Sequence, residues 1–110
     1  MGVKKLPADF VYLEDMYSDE YFPKFLVDKI KEILQSVVSF LEQGNTDTDL
    51  IQAQFDNAVL KINDLQDEFY EHDSELETGA RESIGATVDN IIHYFEINID
   101  PEEALREREW

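Results

Sequence analysis

Along residues 23–43 the apolar positions recur every three or four residues: Leu26, Val27, Ile30, Ile33, Leu34, Val37, Val38, Phe40 and Leu41. At 100° per residue they share an arc of about 160°, with Lys31, Glu32, Gln35, Ser39, Glu42 and Gln43 opposite. A half-buried strand alternates every second residue, so this spacing predicts a helix. Pro23 suits the first helical position and Gly44 the residue just past the end.

The same period predicts a second helix over 48–71, with Ile51, Phe55, Ala58, Val59, Ile62, Leu65 and Phe69 on one face. The run Asn45-Thr46-Asp47-Thr48-Asp49 offers several N-caps for it. Leu60 points the other way, among Asp56, Asp64 and Asp67. A third helix is predicted over 75–97, opened by a capping box with Ser74 at the cap and Glu77 three residues on. Its inner face is Leu76, Ala80, Ile84, Thr87, Val88, Ile91, Tyr94 and Phe95. Gly79, Ser83 and Asn90 edge that face, where another element can approach closely, and Gly85 is an interior glycine that weakens the helix. Asp100 and Pro101 open a short last helix over 101–108, and Trp110 is expected to fold back onto the core.

Residues 1–22 read as an arm, with Pro7 early in it and a short helix expected around 9–17. Six of the thirteen aromatic residues lie between Phe10 and Phe25, and a strap of rings over a small bundle adds burial that it needs. The predicted fold is one all-α domain over 1–110. Three long helices run up, down and up, joined by short connections, with an aromatic arm and a C-terminal helix that can complete a fourth position.

Charge narrows the partners. Asp and Glu number 26 against 9 Lys and Arg, for a formal net charge of −17. Such a chain repels phosphate backbones and anionic lipid, so the expected partner is a basic protein, not nucleic acid or membrane. The acids are concentrated. Residues 45–80 hold ten (Asp47, Asp49, Asp56, Asp64, Asp67, Glu68, Glu71, Asp73, Glu75, Glu77) against Lys61 alone. No apolar run is long enough to span a bilayer and no secretory-type stretch follows the start, so a cytoplasmic location is expected.

The chain carries no cysteine, so thiolate chemistry and cysteine-ligated metal sites are excluded. There is no phosphate-cradling glycine loop. Carboxylate di-metal bundles use Glu-x-x-His, but Phe69 stands three residues before His72 and Asn90 three before His93. Glu68/His72 and Asp89/His93 offer at most weak cation pairs. No acid falls on an apolar face, so none is a candidate for the shifted pKa that catalysis needs. No catalytic, cofactor or metal residue is therefore assigned.

Two surfaces remain. One is the acidic face of Asp56, Leu60, Asp64, Asp67, Glu68 and Glu71, suited to a basic protein. Its plain alternative is a solvated face. The other is an arm pocket of Tyr17, Tyr21, Phe22, Phe25 and Arg81, where Arg81 is expected to pair with a neighbouring acid. The competing reading is a small-ligand or metal-binding bundle, with a site between the arm and the first and third long helices. Monomer and homodimer are both open.

The stretch from Tyr17 to Lys29, the Asp73–Thr78 run with Ala80-Arg81-Glu82, and the ending Arg106-Glu107-Arg108-Glu109-Trp110 resemble a small bacterial family of helical proteins of unknown function. The resemblance implies a stand-alone helical protein and transfers no catalytic or binding residue.

Overall fold

A computed structural model describes residues 5–7 and 9–110, and every helix bound below is taken from it. Among those residues the only regular structure is helical: α1 (Glu14–Ser18), α2 (Lys24–Glu42), α3 (Thr48–Asp64), α4 (Gln66–Glu71), α5 (Thr78–Tyr94) and α6 (Pro101–Ala104). The part of the arm at residues 1–4 lies outside the described residues.

The apolar periodicity becomes one core. In α2 the buried residues are Leu26, Val27, Ile30, Leu34, Val37, Val38 and Leu41, while Ile33 and Phe40 sit half-buried at its rim. In α3 and α4 the predicted face from Ile51 to Phe69 is buried throughout, as are Ala80, Ile84, Thr87, Val88 and Ile91 of α5. The arm adds Leu13, Met16 and Phe22 to the same cluster, and the C-terminal segment adds Ile99, Ala104, Leu105 and Trp110.

The long helices are not packed backbone to backbone throughout. α2 lies directly on α3, whereas the backbone of α5 comes closest to α1 and α6. The short segments are thus wedges that join α5 to the α2–α3 pair. The result is a flat body with principal extents of 47, 28 and 17 Å.

Helix ends explain where the expected bounds move. Asp47 is the cap the chain uses for α3: its carboxylate accepts the N–H groups of Asp49 and Leu50 at 2.9 and 3.3 Å. The expected single helix over 48–71 is divided at Leu65, whose N–H reaches back only three residues, to Ile62 O at 3.0 Å.

The expected capping box at Ser74 does not form. Asp73 takes a left-handed φ of 56° and Ser74 N donates to Phe69 O at 2.8 Å, so Ser74 closes α4 instead of opening α5. α5 therefore starts at Thr78, with Glu77 extended ahead of it and no side-chain cap. The same closure ends α5 early: Glu96 has φ 54° and Ile97 N donates to Ile92 O at 3.0 Å. The last helix is four residues, not eight, and beyond it the chain runs irregularly along α3. In the arm, the helix falls at Glu14–Ser18, later than the expected 9–17.

Gly44, with φ 90°, follows α2 as expected. Of the glycines in α5, Gly79 is the one approached, by the Phe22 ring at 3.8 Å; nothing lies within 4 Å of a Cβ built on Gly85.

Candidate functional site

The acidic face divides into bound and free parts. Asp56, on the edge of α3, is taken by Arg106: the guanidinium donates Nη2–H to Oδ2 at 2.6 Å and Nε–H to Oδ1 at 3.1 Å. Gln52 Nε2 donates to the same Oδ1 at 2.8 Å. Burial alone would raise the Asp56 carboxyl, but the hydrogen bonds from Arg106 and Gln52 outweigh it and hold the group below its ordinary value of 3.8. Glu68, at the other edge, is paired with Lys29 of α2 at 2.7 Å.

Between these edges Leu60, Asp64, Asp67 and Glu71 all face solvent. Leu60 is 46% exposed. Among the described residues no ion pair engages Asp64, Asp67 or Glu71. Asp56 and Leu60 of the predicted face are thus separated in environment, one covered by the C-terminal segment and one bare.

The arm residues do not line one pocket together. The Tyr17 hydroxyl donates to Asp28 Oδ1 at 2.5 Å, and burial, with that bond, pushes its phenol well above the ordinary tyrosine range. Phe22 is buried, edge-on to Phe69 at 6.5 Å and against Gly79. Tyr21 and Phe25 are exposed at 39% and 46%. Arg81 is exposed and, contrary to expectation, makes no ion pair among the described residues.

Two contacts join the arm junction to the acidic face. Phe25 stands edge-on to His72 at 4.9 Å, just past α4, and Lys29, which pairs with Glu68, lies 5.9 Å from the Phe25 ring centroid. The periodicity placed these residues on separate helices and carried no signal that the start of α2 meets the end of α4.

The histidines sit at helix surfaces. His93 Nδ1 is 3.2 Å from Asp89, and His72 Nδ1 is 2.9 Å from the Glu68 carbonyl. Among the described residues no three His, Asp or Glu side chains converge as a metal ligand set. No helix of the described residues is long and apolar enough to cross a membrane.

A recess of about 450 Å³ opens between the arm (Leu6, Pro7, Phe10, Tyr12) and the outer side of α2 (Lys31, Gln35, Val38, Ser39, Glu42). Glu42 Oε2 accepts Leu6 N–H there at 2.9 Å, and the Lys31 ammonium lies 5.9 Å over the Tyr12 ring. Burial, then Glu42, raises the Tyr12 phenol and keeps it neutral.

The seam between α3 and the C-terminal segment was not foreseen beyond Trp110. Asn63, itself buried, donates to Glu107 O at 2.8 Å and accepts Glu109 N–H at 3.1 Å. Gln52 Nε2 also donates to Glu103 O at 2.8 Å. The signal in the sequence was polar Gln52, Asp56 and Asn63 recurring every four or seven residues beside the apolar face of α3.

No curated protein and no solved structure matches the chain. Residues 7–110 match the family of unknown function DUF5713, and with the match covering every helix, the chain belongs to that family.

Proposed function

We propose that the protein is a non-enzymatic interaction module that binds a basic segment of another protein through the outward stripe of α3 and α4. The observation that supports this is Leu60: a large apolar side chain, 46% exposed, on the same helical stripe as Asp64, Asp67 and Glu71, which make no ion pair among the described residues. An exposed apolar residue beside unpaired charge suits a partner that brings both an alkyl or aromatic group and basic side chains. Tyr70 of α4 is also exposed, at 56%.

On this reading the protein is bacterial and cytoplasmic, α2, α3 and α5 alternate up, down and up, and the free protein is a monomer or homodimer. The test is an NMR titration of the labelled protein with an arginine- and lysine-rich peptide. Shifts should centre on Leu60, Asp64, Asp67 and Glu71 and weaken at least tenfold in a D64N/D67N/E71Q variant. Shifts spread evenly over the surface, or unchanged in that variant, would refute it.

The recess between the arm and α2 supports a second reading, a small-ligand site. Its volume is in the range of ligand pockets, and its lining combines rings with donors and one carboxylate. Native mass spectrometry of the purified protein decides: a stoichiometric adduct favours the recess.

A further inference from the structure

The C-terminal segment is held on α3 in an unusual way. Most of the hydrogen bonds that α3 makes to it go to main-chain atoms: Gln52 to the carbonyl of Glu103, Asn63 to the carbonyl of Glu107 and the N–H of Glu109. Such contacts engage main-chain atoms of the last helical turn and of the turns that follow it, whatever the side chains are. Side-chain identity is read at Arg106 on Asp56 and at the buried Ala104, Leu105 and Trp110.

The occupant is electrostatically mismatched. Residues 100–110 carry five acids (Asp100, Glu102, Glu103, Glu107, Glu109) against Arg106 and Arg108, and they lie on a protein of net charge −17. The seat is also incompletely satisfied. Among the described residues, the Trp110 indole N–H and Gln52 Oε1 are both buried without a hydrogen-bond partner.

We propose that this seam is a peptide-docking groove, filled in cis by residues 103–110, that accepts in trans a partner segment bearing a leucine followed directly by an arginine and, four residues after the arginine, a tryptophan, with neutral or basic residues between. Such a segment reproduces the main-chain bonds, the Asp56 pair and the aromatic anchor. It lowers the negative charge laid on an already acidic protein by replacing Glu107 and Glu109, giving up the Gln66 bond to Glu109 at 3.3 Å. Because it uses Asp56 and Asn63 and not the Leu60 stripe, the groove stands independently of the function proposed above.

The probe is a fluorescein-labelled octapeptide copying residues 103–110 with lysine in place of Glu107 and Glu109. Binding to the full chain is read by anisotropy. Displacement is read by ¹⁹F NMR of 5-fluorotryptophan-labelled protein, which gives a single line because Trp110 is the only tryptophan. Arg106→Ala, which weakens the cis occupant alone, should bind the peptide about fivefold more tightly than wild type, as expected when a competing closed state loses population. Adding Asp56→Asn in that background should cost about tenfold, and saturation should move the ¹⁹F line to its solvent-exposed position. A peptide with alanine at positions 106 and 110 should bind at least tenfold more weakly. The proposal is overturned if Arg106→Ala binds no more tightly, if the ¹⁹F line stays in place at saturation, or if the alanine peptide binds equally. Sensitivity to D64N/D67N/E71Q in place of Asp56→Asn would also overturn it, by placing the peptide on the outward stripe.

Discussion

Thr87 Oγ1 accepts the main-chain N–H of Leu13 at 3.0 Å while donating its own hydrogen to the carbonyl of Ser83, also at 3.0 Å. One hydroxyl on α5 thereby fixes the arm where it turns into α1. Leu13 needs that hold: it is fully buried and sits in the left-handed region at φ 54°, a conformation that costs a leucine energy unless its surroundings impose it. Thr87→Val keeps the shape but leaves a buried N–H unsatisfied, and should lower stability by about 1–3 kcal/mol. Thr87→Ser should recover much of the loss. Urea unfolding of the three proteins checks this.

Gly85 and Gly79 separate conformational cost from packing. Nothing lies within 4 Å of a Cβ at Gly85, so Gly85→Ala should stabilise α5 by about 0.5–1 kcal/mol, read as a rise in Tm. At Gly79 the added methyl would meet the Phe22 ring in ordinary contact, at 3.8 Å. A fall in Tm for Gly85→Ala would contradict the open space found there.

Acid should loosen the C-terminal segment. The folded Asp56 carboxyl lies below its ordinary value of 3.8, so on acidification the unfolded chain takes up this proton first. The stability it contributes is complete above 3.8 and drains away as pH falls through the lower folded value. Asp56→Asn should therefore be less stable than wild type at neutral pH, with the gap narrowing below 3.8. Chemical denaturation across that range measures it.

Leu60 and Phe69 are both large apolar residues of the α3–α4 region, and only one is structural. Phe69 is fully buried, so Phe69→Ala should cost about 3–5 kcal/mol. Leu60→Ser should change stability by no more than about 0.5 kcal/mol. A large loss for Leu60→Ser, measured by the same unfolding assay, would mean that the residue packs against something and is no free anchor.

The apolar period was enough to read the three buried faces, because burial of a stripe depends on local spacing alone. Ile62 and Ile91, which it placed inward, are fully enclosed; Ile33 is half so. Helix ends were less legible. Ser74 carries a good capping sequence, yet the closure of α4 recruits it first, a competition decided by Asp73 turning left-handed. The Asp56–Arg106 pair spans fifty residues, and no periodicity within one helix encodes such a partner. Leu60 was legible as an outlier because it broke the pattern of its own helix.

At 17 Å through, the body is thin along one axis, about the depth of two packed helices. Leu13, Met16 and Phe22 from one end of the chain and Leu105 and Trp110 from the other belong to the same core as Phe55 and Ile84. Emptying either flank without refilling it would therefore open the one core that the long helices share.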